Sequence, residues 1–300
     1  MSEPPHIPWP LDCPLEGARR PQPRTLRLAD GYETGMLVHS PRGPAAGPCV
    51  LYLHGIQSHP GWFAGSAAAL ADHGCRVYQI ERRGSGHNRT DRGHARSAGQ
   101  LLADLDAAAA LIVRENPDRS LALAGPSWGG KLAAAYCLWP RRRAAIASLT
   151  MIAPGIAAMV DVPAATKLAV ALCLLAAPKV RLAIPLDDDE LFTDNPAMRE
   201  YLRADTLRLR KASAAFMFAS RVLDRMIARA PDGSLNVPCT LLLARRERVI
   251  DNKATSKVVT RLTADRAQRV EFDAAHVLEF QSDPAAFYQA LLRGVQFSKA

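Results

Sequence analysis

Acidic side chains are in short supply in this chain of 300 residues: 29 Asp and Glu stand against 38 Lys and Arg, a formal charge of +9. The surplus is spread as scattered arginines. No Lys/Arg block is interleaved with aromatics, which make up only 6% of the chain, so a nucleic-acid partner is not expected. The charge reads as a solvated basic surface, with attraction to anionic lipid or acidic substrates as the functional alternative. Long hydrophobic runs are also missing. The longest, Leu168 to Pro178, is about half of the roughly 20 residues a bilayer span needs. Paired cysteine motifs are absent too: Cys13, Cys49, Cys75, Cys137, Cys173 and Cys239 lie far apart, with neither a C-x-x-C nor a metal-like spacing. Several start apolar runs, where a buried free thiol is usual, and this fits a reducing compartment. Residues Met1 to Pro23 are proline-rich and lack a charged-then-apolar leader pattern. These absences point to a soluble, cytoplasmic protein that needs no metal or organic cofactor.

What is present is alternation. Residues 24–29 and 33–39 read as two strands joined at Asp30-Gly31. Cys49 to Leu53 is a short apolar run ending in His54-Gly55, as a buried parallel strand would. A helix is expected over 61–73, a strand over 75–80, a Gly- and Arg-rich loop over 81–93 and a helix over 97–115. The last has apolar residues at 101, 102, 105, 108, 109 and 112, close to helical period. A strand before Ser127, a helix after it and a strand over 146–152 follow. From Pro154 to about Asn236 no convincing strand is visible, only helix-like stretches at 168–177 and 198–227. Alternation resumes with a strand at 239–244, a helix at 252–262, a strand at 269–272 and a helix at 284–295. The pattern predicts an α/β fold: a mostly parallel sheet with helices on both faces and a helical cap inserted before the last two strands. The expected layout is a Pro-rich lead-in over 1–23, a core over 24–153 and 237–300, and a cap over 154–236. Such a cap would lie over the C-terminal strand edge, where open α/β sheets place ligands.

The chemistry starts at Gly125-Pro126-Ser127-Trp128-Gly129. A G-x-S-x-G segment between a buried strand and a helix is a nucleophile elbow. Its corner strains the serine backbone and needs almost side-chain-free neighbours. Ser127 would sit at a helix N-terminus, which favours developing negative charge. A serine hydroxyl needs a histidine to take its proton and an acid to orient that histidine, in the chain order Ser, acid, His. Of eight histidines only His276 follows Ser127, in a loop just after the 269–272 strand. Two acids follow the 239–244 strand: Glu247, which is favoured, and Asp251, which is well placed to cap the next helix. The oxyanion donors would be the N–H of Trp128 and that of Ile56 in His54-Gly55-Ile56-Gln57. His54 precedes Ser127, the wrong order for the base, and is expected to shape its loop by hydrogen bonding.

Four segments carry a resemblance: His54-Gly55-Ile56-Gln57-Ser58-His59, Arg82-Arg83-Gly84-Ser85-Gly86, Gly125 to Gly130, and Glu247-Arg248-Val249-Ile250-Asp251. Together they resemble the monoacylglycerol lipase/lysophospholipase branch of the α/β-hydrolase superfamily, an S33-type hydrolase domain, over nearly the whole chain from about residue 24. In that branch the acid is usually an aspartate four residues before a second one. The register puts Glu247 on the catalytic position and Asp251 on the second. The resemblance also implies a cap over an acyl-chain pocket.

Leu168 to Leu175 is apolar around the whole circumference of a helix, so it is either buried or faces something greasy, an acyl channel or a membrane surface. The arginines of the 81–92 loop are expected to make ion pairs that hold it, with phosphate recognition as the alternative. Phe216, Met217 and Phe218 are expected to pack the cap rather than form the site. The leading expectation is a serine hydrolase acting on carboxylic esters of apolar or single-chain lipids, its partner a small-molecule or lipid ester. Acyl transfer, thioester cleavage or related chemistry on the same serine forms a second class. A non-catalytic binding module and a membrane-surface adaptor are the others.

Overall fold

The computed structural model describes residues 20–41 and 46–296. The lead-in up to residue 19, with Cys13, lies outside them. Strands β1 (Gln22–Arg27) and β2 (Glu33–His39) form the expected antiparallel hairpin, with Gly31 at φ +80° in the turn. Then come β3 (Cys49–Leu53), α1 (Ala64–Asp72), β4 (Arg76–Ile80), α2 (Ala98–Glu115), β5 (Leu121–Pro126), α3 (Trp128–Cys137) and β6 (Ser148–Ile152). After an insert, β9 (Cys239–Ala244), α7 (Asn252–Thr263), β10 (Gln268–Phe272) and α8 (Ala285–Gln296) complete the sheet.

The eight strands run in the order β1-β2-β4-β3-β5-β6-β9-β10. Pairing is antiparallel for β1·β2 and β2·β4 and parallel from β4 to β10. Every residue of β3, β5, β6 and β9 is buried, which is why these strands read as unbroken apolar runs. α1 and α8 pack together, as do α2 and α3, and sheet strands are sandwiched between helices. β3 and β5 are adjacent although β4 and α2 intervene in the chain. Strand order reverses there, opening a crevice at their C-terminal ends.

The insert corrects the expectation of a strandless segment. It contains a two-stranded antiparallel ribbon, β7 (Arg181–Ala183) with β8 (Lys211–Ser213), beside α4 (Ala164–Ala176), α5 (Pro196–Ala204) and α6 (Ala214–Arg229). The helix-like stretch 198–227 is therefore two helices separated by β8. Three-residue strands lie below the length at which alternation becomes visible. α4 buries none of its residues: Leu168, Leu172 and Leu175 are 63%, 60% and 89% exposed. Burial between layers is thus excluded for its outer face. Among the described residues no helix is long and apolar enough to cross a membrane. The five described cysteines are free thiols.

Candidate active site

Two chain reversals build the site. At the end of β5 the backbone turns sharply, and Ser127 takes φ 52°, ψ −124°. A non-glycine residue in that region carries about 1–3 kcal/mol of strain. Its N–H donates to the Ile152 carbonyl at 2.8 Å, and its carbonyl accepts from Gly155 and Lys131 N–H at 2.8 and 3.2 Å. The flanking glycines are required by contact: a Cβ on Gly125 would lie 2.7 Å from the Gly129 carbonyl carbon, and one on Gly129 would lie 2.7 Å from the carbonyl oxygens of both Leu53 and His54. α3 can start here only because its first turn nearly touches the end of β3.

The loop after β3 lies against this corner. A Cβ on Gly55 would be 3.6 Å from the Ser127 Cβ. The N–H groups of Ile56 and Trp128 donate to no other backbone group among the described residues, and both residues border a cavity shared with Ser127. His54 behaves as expected from its position. Its Nδ1–H donates to the Gly55 carbonyl at 2.8 Å, and its Nε2 accepts from Arg82 N–H at 3.0 Å and lies 3.1 Å from Ser85 Oγ. Burial, with Arg82 nearby, holds it far below the ordinary histidine range, so it stays neutral.

His276 is 3% exposed. Its Nδ1 lies 2.9 Å from both carboxylate oxygens of Glu247. The carboxylate also accepts the N–H of Arg248 at 2.9 Å and of Val249 at 2.8 Å. Burial alone would raise the Glu247 pKa. The charge and hydrogen bond of His276 and the two N–H donors outweigh it, so the carboxyl titrates below its usual range. An ionised Glu247 places the proton on Nδ1 and leaves Nε2 as an acceptor. Nε2 is buried and has no hydrogen-bond partner among the described residues, and His276 borders the same narrow cavity of about 20 Å³ as Ser127. The two side chains share that space without a direct hydrogen bond. Asp251, the alternative acid, is exposed and caps α7, accepting Ala254 N–H at 2.9 Å. The 247–251 loop is held by the start of the insert, through Met159 N–H to Val249 O at 2.9 Å and Asp251 N–H to Ala157 O at 2.8 Å. Glu247 makes no ion pair with the neighbouring guanidinium groups, since those of Arg246 and Arg248 both bind Asp194.

Several residues at the site were not anticipated. Arg82 is buried with its guanidinium donating to the carbonyls of Gly55 at 2.9 Å and Ile56 at 2.8 Å, 4.8 Å from the Trp128 ring centre. Burial, with Arg92 nearby, pushes its pKa down to about 9. The expected ion pairs belong instead to Arg83, which binds Asp104 and Asp30. Arg208 from the insert donates to Gln57 Oε1 at 3.1 Å, and Leu209 N–H to Gln57 O at 2.8 Å. Phe216, Met217 and Phe218, expected as packing only, line the larger cavity. That cavity, about 440 Å³, runs from Ile56, Ser127 and Trp128 under the insert between α4 and α6. Among the described residues no group of three or more His, Cys, Asp or Glu side chains is arranged to hold a metal ion.

The comparisons with known proteins bear on family and fold. A family model described as "Serine aminopeptidase, S33" (Hydrolase_4) matches residues 44–282. Comparison with curated protein sequences gives no match. Among solved structures, a soluble variant of monoglyceride lipase from Saccharomyces cerevisiae, in complex with a substrate analog, superposes with a TM-score of 0.82 at 16% identity, over 96% of this chain and 97% of that one. The monoacylglycerol lipase of Paleococcus ferrophilus gives 0.72 at 19% identity, over 87% and 98%. A thermostable carboxyl esterase from Bacillus coagulans, in complex with glycerol, gives 0.74 at 13% identity, over 93% and 100%. At these identities the likeness is one of fold.

Proposed function

This chain belongs to the serine aminopeptidase S33 (Hydrolase_4) family of α/β-hydrolases, and from that premise we propose that it is a serine hydrolase of carboxylic esters with an apolar, single-chain acyl group. The observation that carries the reading is His276: Nδ1 held by Glu247, Nε2 buried and unpartnered among the described residues, and the side chain bordering the same cavity as Ser127. In this reading Ser127 Oγ attacks the ester carbonyl while Nε2 takes its proton. The N–H groups of Ile56 and Trp128 receive the oxyanion, and Glu247 stabilises the imidazolium. His276 then returns the proton to the leaving alcohol, leaving an acyl-enzyme. Water, deprotonated by the same nitrogen, attacks the acyl carbonyl and releases the acid. Apo sites of this kind commonly have a loose nucleophile–base contact that tightens with substrate. Asp251 serves the fold as a helix cap and takes no part.

Residues 154–236 act as the cap, and the 440 Å³ cavity beneath them receives the acyl chain. Its apolar wall, with Val170, Leu174, Ile184 and Phe216, supports a lipid-like substrate of the monoacylglycerol or lysophospholipid kind. The exposed leucines of α4 and the +9 charge support contact with an anionic membrane surface from the cytoplasm. The test is labelling by a fluorophosphonate probe together with turnover of 4-nitrophenyl esters of graded chain length. Wild type should be labelled and active, with Ser127→Ala neither. An unlabelled wild-type protein without esterase activity would overturn the reading. Faster transfer to an added alcohol or thiol than to water would make it an acyltransferase.

A further inference from the structure

The wall of the acyl cavity is not uniformly greasy. One helical turn beyond Ser127, Lys131 projects from α3 and is 6% exposed. Its Nζ donates to Ser220 Oγ at 2.9 Å and to Asp224 Oδ1 at 2.8 Å, and Trp128 Nε1 donates to the same hydroxyl at 2.9 Å. An ammonium has three N–H donors, and the third has no acceptor among the described residues. A lysine carried this deep and this near the nucleophile is costly unless its charge is used. It is also out of place in a cavity that would serve a plain alkyl chain. The charges bordering the cavity are unequal: Lys131, Lys167, Arg221 and Arg225 face only Asp161 and Asp224. Arg225 has no ion-pair or hydrogen-bond partner among the described residues.

We infer that this end of the cavity recognises an anionic group of the substrate, a carboxylate or a phosphate, with Lys131 as its principal donor and Asp224 as the counter-charge that holds the ammonium in place. The inference rests on the serine-esterase reading and sharpens it. The favoured ester would combine an apolar stretch, lying along Val170, Leu174 and Phe216, with a negatively charged group, rather than be uncharged throughout. Two sources carry that chemistry: an acyl chain ending in a carboxylate, and a phosphate on the alcohol side of a lysophospholipid.

The experiment compares matched pairs. In one arm the mono-4-nitrophenyl ester of suberic acid is set against 4-nitrophenyl octanoate, the same chain length with and without the charge. In the other, lysophosphatidate is set against the monoacylglycerol with the same acyl group. Wild type should favour the anionic member in kcat/KM by about tenfold or more in one arm, as one charge-assisted hydrogen bond provides, and that arm identifies the source. Lys131→Met should erase the preference. Asp224→Asn, which removes the competing carboxylate, should increase it. A purely structural Lys131–Asp224 link predicts the opposite pattern, with both variants lowering both members of a pair alike. That result, or a wild-type ratio near one in both arms, overturns the inference. Separately, suberate should raise the Tm of Ser127→Ala more than octanoate does. This readout needs no turnover, so failure of the esterase reading is distinguishable from failure of the pocket assignment.

Discussion

Replacing Gly129 by alanine is the smallest change that reaches the reacting geometry without touching a reacting atom. The new Cβ would sit 2.7 Å from the carbonyl oxygens of Leu53 and His54 and 2.9 Å from the Leu53 carbonyl carbon. Ordinary contact at such positions begins near 3.4 Å, so β3 and α3 must separate by about 0.7 Å, and neither neighbour is a flexible side-chain tip. The displaced segments are the two that carry the proposed oxyanion donors, Ile56 after β3 and Trp128 at the start of α3. Loss of one such donor costs about 2.7–4 kcal/mol, or roughly 100- to 1000-fold in kcat. Overpacking adds about 1–3 kcal/mol of destabilisation, which lowers Tm by several degrees in a chain of this size. Gly99 in α2 is the internal control. A Cβ there meets only Ser97 Oγ at 3.8 Å, so Gly99→Ala should keep full activity and gain up to about 0.5–1 kcal/mol. Initial rates on a 4-nitrophenyl ester and thermal melts of both variants decide the matter. Gly129→Ala with kcat within about threefold of wild type and an unchanged Tm would refute the close-approach argument.

Glu247→Gln should lower kcat by roughly 10⁴, whereas Asp251→Ala should cost about 1 kcal/mol of stability with kcat retained; steady-state kinetics beside urea unfolding separates the two, and the reverse pattern would move the acid to Asp251. Arg82→Met, which removes the donors to the Gly55 and Ile56 carbonyls, should lower kcat by about tenfold or more with little change in KM, and Arg82→Lys should recover part of it. Burial depresses His39 from 6.5 to about 4. The neutral imidazole is therefore the native form, and its contribution is complete above pH 6.5 and lost progressively as pH falls towards 4. The loss comes to about 3 kcal/mol. Glu279, lifted by burial to about 7, runs the other way, its contribution falling as pH rises from 4.5 to 7. The histidine is therefore read as the difference between wild type and His39→Gln in urea unfolding from pH 4 to 7. That difference should shift in favour of the variant on acidification, and a pH-independent difference would contradict the buried neutral state.

Much of the molecule was readable along the chain because local chemistry decides it. Fully buried strands such as β3 and β5 must be short apolar runs, α2 shows its buried face at helical period behind a Ser97 cap, and a serine between glycines after such a strand makes a strained corner. The candidate base followed from order alone, as the one histidine beyond Ser127. What could not be read depends on contacts between distant segments. Glu247 and Asp251 lie four residues apart after the same strand, and only the placement of His276 against one of them distinguishes a partner from a helix cap. Arg82 was expected to hold its loop by ion pairs, yet it is buried against the loop that follows β3 and binds the carbonyls of Gly55 and Ile56. The β7·β8 ribbon was too short to show alternation. α4 has the composition of a buried helix, but no described residue covers its outer face. Nothing along the chain marked Lys131, which α6 meets with Ser220 and Asp224 from about ninety positions away. Periodicity and turn chemistry act over a few residues and so are written in the sequence. Which side of an element meets another element, and which charge meets which, is set by packing across the whole chain, and only the folded structure decides that.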